Sequence, residues 1–310
     1  MKLTFLIPCF TTILLLVSCQ PANVQPSASQ LAFSHKPPTQ QDIAQHHAPL
    51  FFQDVDVTDL FVCPNSSKTG TADWIAPVNY DGDWDATNNW EHLINKGRDL
   101  GSLKGTAYIN YASTASHYYF LYAVYHPRDW ADSLWCSLDS HENDLEGVLL
   151  CIEKQDSHPM GILRYAATIY HSERKLYRAQ DLLYRASHPK FFIQAKGHGI
   201  RKYEGLADED GTHIVYQITE DEQKVHQPLA GKNQLPQTVY YHLVPTKTTL
   251  WARRDQPLLF TGNSFNGDTY RDNAAHAPWG WGSIGTDPAG FIKDKFSLKS
   301  WDTTYLTKDF

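Results

Sequence analysis

Two runs constrain the fold of this 310-residue chain more than any other feature. Residues 118–125, YYFLYAVY, and residues 147–152, GVLLCI, are apolar at odd and even positions alike. Successive side chains of a strand point to opposite faces, so a run that is apolar throughout must be covered on both sides and belongs in the middle of a sheet. The full strand candidates are 107–111, 118–126, 147–153, 162–170, 175–178, 191–195, 213–218 and 239–244, separated by turn-forming clusters. Helical signals are few; the best is 89–96, with Asn88 as N-cap and Gly97 as stop. Many short strands at this spacing predict an all-β, mainly antiparallel fold, a β-sandwich with a few short helices. The Trp, Tyr and Phe content (9, 17 and 14) suits pleated surfaces. No repeat period, Gly-rich phosphate loop or CxxC pair is present.

The amino terminus reads as an export signal. Met1 and Lys2 precede an apolar run over residues 3–17, too short to span a bilayer as a settled helix, which ends in Leu16-Val17-Ser18-Cys19. That pattern predicts a bacterial lipoprotein signal peptide over 1–18, cleaved before Cys19, whose lipidated amino terminus would anchor the chain in a bilayer. Residues 19–41 hold Pro21, Pro26, Pro37, Pro38 and several Ser and Gln, as in a flexible tether, leaving 42–310 as a single β-sandwich domain. Gln20, in place of Asp, resembles lipoproteins sorted to the outer membrane of the bacterial envelope.

An exported chain permits disulfides. Cys63 and Cys136 lie in loop-like surroundings and form the expected pair, while Cys151 sits in an apolar run as a buried free thiol. With Lys+Arg 27 against Asp+Glu 34 the net charge is −7, which supplies no basic footprint for nucleic acid.

The chemistry concentrates in Ser140-His141-Glu142-Asn143-Asp144-Leu145-Glu146, which opens a central strand. Residues i and i+2 share a strand face, so Asp144 and Glu146 project together, and His141 can fold back from the preceding turn. Two adjacent carboxylates near a buried sheet repel and raise each other's pKa, whereas a divalent cation holds both ionised. A surface turn with satisfied hydrogen bonds would show the same spacing.

This segment, together with Tyr122-Ala-Val-Tyr125-His-Pro127-Arg128-Asp129 upstream, resembles the necrosis- and ethylene-inducing cytolysin family of plant pathogens. In that family a strand ends in a Pro-Lys-Asp-like turn and a Gly-His-Arg-His-Asp-Trp-Glu heptapeptide follows. The resemblance covers roughly residues 108–198 and implies a metal shell of Asp129, His141, Asp144 and Glu146. A later histidine completes the shell, and its best match is His198 between Gly197 and Gly199. It also implies recognition of glycolipid headgroup sugars. Here Ser140 stands in place of Gly, Glu142-Asn143 in place of Arg-His and Leu145 in place of Trp, so the metal shell transfers better than cytolysis does.

A second acidic cluster surrounds Asp81, Asp83, Trp84 and Asp85. It imitates the first three ligands of a calcium loop, but Ala86 stands where the EF-hand turn needs Gly and His92 where it needs Glu, so an EF-hand is excluded. An irregular Ca²⁺ site, a sugar-binding loop with Trp84 and Trp90 as platforms, and plain Asx turns with a helix cap remain as readings. Near the carboxyl end, Trp279 and Trp281 among glycines read either as an exposed platform or as a cap on the core.

The expected function is therefore a membrane-anchored, lectin-like protein that uses a divalent cation to recognise a glycan or glycolipid headgroup. Oxygen-rich ligation favours Ca²⁺, Mg²⁺ or Mn²⁺, with Zn²⁺ open because of the histidines. A metal-dependent envelope hydrolase with Glu142 as base, and a structural envelope lipoprotein, are the competing expectations; an enzyme is the lesser one.

Overall fold

The computed structural model describes residues 36–57, 70–94, 103–130, 140–170, 173–205, 211–268 and 275–280. All secondary structure among the described residues belongs to the unit of residues 38–310. Cys19, Cys63, Cys136 and Trp281 lie outside the described residues.

Helix α1, Gln40–His47, opens on a capping box: the Thr39 hydroxyl accepts from the Asp42 N–H at 3.2 Å, and the Asp42 carboxylate accepts from the Thr39 N–H at 2.6 Å. Strand β1, Leu50–Asp54, and the short helix α2, Asn89–Ile94, follow. Then come β2, Gly105–Ser113, β3, His117–Asp129, β4, His141–Gln155, β5, His158–Tyr170, and β6, Glu173–Arg178. β7, Tyr184–Arg185, β8, His188–Ile193, and β9, Ile200–Lys202, precede β10, His213–Ile218, and β11, Gln237–Pro245. A small hairpin of β12, Phe260–Thr261, and β13, Ser264–Phe265, stands apart. Every predicted strand segment is found. Asn88 is not the N-cap of α2. It belongs to a 3-10 turn, Ala86–Asn88, which Asp85 caps by accepting from the Thr87 N–H at 3.0 Å.

The fold is all-β, but the expected mainly antiparallel sandwich gives way to one mixed sheet. Its order is β6-β5-β4-β3-β2-β11-β10-β1-β8-β7, with β9 paired to β8. β2 to β6 form an antiparallel meander. β11 runs parallel to both β2 and β10, and β8 runs parallel to β1. Periodicity missed this because side-chain alternation is the same in either pairing; only the long return of the chain selects a parallel neighbour. β6 and β7 are consecutive in sequence yet close the two ends of the order, and β9 packs on β4 and β5. The sheet thus curls into a half-barrel.

Both faces of the central strands are covered, as their composition requires. On the concave face the hydroxyl of Tyr122 donates to Ala44 O at 2.6 Å and that of Tyr241 to Pro49 O at 2.7 Å. On the other face the hydroxyl of Tyr108 accepts from the Val78 N–H at 2.8 Å. Cys151 is a buried free thiol, and burial pushes its pKa up to about 12. Trp279 is buried, edge-on to Trp251 and Phe260, so it caps the core and forms no exposed platform. Among the described residues no helix is long and apolar enough to cross a membrane.

Candidate metal centre

The site lies where β3 ends and β4 begins. The two strands stay in register to their tips, pairing His126 with Asp144, Arg128 with Glu142 and Asp129 with His141. His141 is therefore the first residue of β4 rather than part of a turn before it. Strict alternation would set His141 and Asp144 on opposite faces. Asn143, with φ of 57°, supplies the correction: one residue in the left-handed region, which Asn tolerates better than most, shifts the alternation. His141 and Asp144 then address the concave face, while Glu142 and Asn143 address the other.

Asn143 is locked in that conformation. Its side-chain oxygen accepts from Asn89 Nδ2 at 2.7 Å and from the Tyr125 hydroxyl at 2.6 Å, and its Nδ2 donates to Ala86 O and Asn266 O, both at 2.9 Å. All its polar capacity is used inside the protein.

On the concave face two imidazoles meet two carboxylates. His141 Nδ1 donates to Asn143 O at 2.9 Å and Glu142 O at 3.1 Å, which turns Nε2 toward Asp129 Oδ2 at 3.3 Å. His198 arrives on the turn between β8 and β9, itself in the left-handed region at φ 44°. Its Nδ1 lies 3.0 Å from Asp144 Oδ2 and its Nε2 lies 3.2 Å from Asp73 Oδ1. Each histidine thus has one nitrogen tied to a fixed acceptor and the other turned to a site carboxylate. Histidines that ligate metals are oriented in this way by an outer acceptor that sets the tautomer.

The charges are arranged to hold protons or a cation. Burial by itself would push His141 down, but the bond to Asp129 and the charges of Asp129 and Asp144 overcome it, raising the pKa to about 9. For His198 burial again opposes charge, and Asp144 and Asp73 together lift it to about 9. Burial raises the pKa of Asp144 and Asp73 in turn, and the bond and charge of His198 work against that rise.

His126 lies in the same cluster, and one donor atom from each of His126, Asp144 and His198 lies within 4.8 Å of the others. Its role differs. The rings of His126 and His198 are stacked with centroids 3.7 Å apart and planes 3° from parallel, so their in-plane lone pairs do not converge on one point. His126 Nε2 donates to Gln53 Oε1 at 2.9 Å, and burial followed by the charge of His198 holds its pKa well below the ordinary range. It is a neutral floor under a charged His198, with Trp130 edge-on at the side.

Of the five residues expected as ligands, Asp129, His141, Asp144 and His198 form one connected cluster. Glu146 is buried two residues along β4 from Asp144. Glu142 is held on the opposite face, where its carboxylate accepts from the Trp90 N–H at 2.8 Å and the Asp268 N–H at 2.9 Å. Burial raises its pKa to about 7. Asp81, Asp83 and Asp85 form a staircase of Asx turns: Asp81 accepts from the Asp83 N–H at 3.3 Å, Asp83 from the Asp85 N–H at 2.8 Å, and Asp85 caps the next turn. Asp81 also bonds His92. Trp84 has the Arg253 guanidinium 3.9 Å over its ring, and Trp90 is buried beneath Arg128.

Sequence reading missed Asp73, His126 and Asn143. Asp73 is fully buried, and it also accepts from the N–H groups of Asp56 and Lys196, both at 2.7 Å, so it ties three segments together under His198. No local pattern announces it. His126 had a usable signal, since it lies three residues before Asp129 on a strand that pairs with the acidic segment.

No family model and no curated protein matches the chain. Solved structures do match, and they make the chain distantly similar to necrosis- and ethylene-inducing proteins. Necrosis and Ethylene inducing Protein 2 from the causal agent of cocoa's witches' broom disease shares 12% identity over 86% of this chain and 94% of its own, with a TM-score of 0.39. The non-toxic HaNLP3 protein shares 18% over 55% and 72%, with a TM-score of 0.34. NLPPya, solved in complex with glucosamine, shares 16% over 66% and 71%, with a TM-score of 0.35.

Proposed function

We propose that this chain is a divalent-cation-dependent recognition protein for a glycan or glycolipid headgroup, held at the bacterial outer membrane through lipidated Cys19. The observation that carries the reading is the pair of oriented imidazoles: His141 and His198 each turn one nitrogen to a carboxylate, 3.3 Å from Asp129 and 3.0 Å from Asp144, while the other nitrogen is fixed from outside. That donor set fits a divalent cation. Asp129, His141, Asp144 and His198 would hold it, with Glu146 at the edge, and three carboxylates against two imidazoles favour Ca²⁺, Mg²⁺ or Mn²⁺ while leaving Zn²⁺ open. When bound, the ion would supply a Lewis-acidic centre for sugar hydroxyls or phosphate oxygens. Protons and the ion compete for the same nitrogens.

The placement of Glu142 bears on the hydrolase alternative. Turned to the opposite face and tied to two main-chain N–H groups, it does not serve the cluster as a base. Recognition needs no base, so the geometry favours it. The test is retention of the chain on immobilised amino sugars and glycolipids with each cation and with chelator. Metal-dependent retention, abolished in Asp144→Ala, is expected. Retention indifferent to chelator, or turnover of ester or glycoside substrates by the metal-loaded chain, would overturn the reading.

A further inference from the structure

Basic charge is gathered on one part of this acidic chain. Residues 164–204 contain nine Lys and Arg against three Asp and Glu, a net of +6 within a chain of −7. They form the seam of the half-barrel, from β5 and the edge strand β6 through a 3-10 turn, Ala179–Asp181, to β7 at the other end of the sheet and on to β9. The seam also carries much of the exposed apolar surface among the described residues: Leu176 is 49% exposed, Leu183 46%, Tyr165 39% and Tyr184 38%.

The register puts these groups together. Tyr165 pairs with Arg178 and Ala167 with Leu176, so Tyr165, Leu176 and Arg178 share the outer face of the β5–β6 hairpin. The Tyr184 hydroxyl donates to Ala179 O at 2.9 Å, which folds β7 back onto the turn that leaves β6. Arg178, Arg185 and Arg201 are exposed, with Lys190 half-buried behind them. Glu153 pairs with Arg164, Glu204 with Lys202 and Asp56 with Lys196, so those three cations are offset, and the cationic character of the seam rests on Arg178, Arg185, Lys190 and Arg201. A soluble polyanion would use the arginines but give the leucines nothing. A second copy docking through the same patch would meet like charge. Leucine and tyrosine interleaved with arginine match the boundary of a bilayer, where apolar side chains enter the headgroup region and cations meet anionic phosphates.

We infer that the β5–β6–β7 seam is a docking surface for an anionic phospholipid bilayer, distinct from the cation cluster on the concave face. The probe is co-sedimentation of the mature chain, residues 19–310 carrying Cys19→Ser, so that neither the apolar signal run nor an acyl anchor contributes, with vesicles of phosphatidylglycerol in phosphatidylcholine. Chelator is present throughout, so the outcome is independent of the cation site. Binding to these vesicles, weak on pure phosphatidylcholine and reduced by salt, is expected. Arg178→Glu with Arg185→Glu should weaken it at least about tenfold, Leu176→Ser with Leu183→Ser should weaken it comparably, and Arg178→Lys with Arg185→Lys should retain it. Unchanged far-UV spectra guard against misfolding. Equal binding to neutral vesicles, indifference to the leucine pair with full competition by a soluble polyanion, or a dimer in light scattering that the leucine pair abolishes would each overturn the proposal.

Discussion

In an Asn143→Ala variant four groups lose a partner at once: the Tyr125 hydroxyl, Asn89 Nδ2, Ala86 O and Asn266 O. Alanine is also less tolerant of the left-handed backbone at this position. The expected cost is about 3–5 kcal/mol, read as a fall in the urea midpoint; a change within about 0.5 kcal/mol would mean the residue does not organise the site. A second residue-scale prediction concerns His47, which donates to Met160 O at 2.9 Å while its Nδ1 is buried without a partner. Burial, with His46 and His188 adding to it, holds its pKa at about 4 against an ordinary 6.5. Between those values the unfolded chain binds the proton and the folded chain resists it. His47 therefore contributes fully above 6.5, and the contribution, up to roughly 3 kcal/mol, fades as the pH falls toward 4. His47→Gln should flatten that acid limb in denaturation profiles, and parallel profiles for the two proteins would contradict it. The site itself was half legible at this scale. Spacing marked His141, Asp144 and Glu146, and the family resemblance added Asp129 and His198. Asp73 reaches His198 only through tertiary folding, which no spacing encodes.

At the scale of the element, Gly105 shows how the mixed sheet is joined. A Cβ there would lie 2.8 Å from Tyr241 Cβ and 3.0 Å from Tyr216 Cδ1, because β2 and β11 run parallel and bring two tyrosines against the first residue of β2. Gly105→Val should cost about 1–3 kcal/mol by overcrowding and lower the Tm, whereas a neutral effect would mean the junction has room to relax. The strands of the meander were legible because each carries its own apolar pattern and turns are local. The parallel joins were not, since what brings β11 beside β2 is a return across more than a hundred residues. The extension of β3 and β4 past their apolar stretches was hidden for a different reason: their ends are polar, and only the pairing of Asp129 with His141 makes them strand.

For the whole molecule, curling the sheet separates two surfaces of opposite character. The concave face gathers buried acids and imidazoles, and the seam outside gathers arginine and leucine. A cation bound only by the folded chain must stabilise it. At about a hundredfold excess over the dissociation constant the gain is about 2.7 kcal/mol, and it should appear as a rise in Tm that Asp129→Asn and Asp144→Ala both remove. An equal rise in those variants would place the ion elsewhere.

The central claim is tested most directly by titrating the chelator-treated chain with Ca²⁺, Mg²⁺, Mn²⁺ and Zn²⁺ and measuring bound metal per chain. One equivalent of at least one of these ions, lost in Asp144→Ala while the β-rich far-UV spectrum persists, is the predicted result. No bound ion in the intact chain, or undiminished stoichiometry in both Asp144→Ala and His198→Ala, would contradict it.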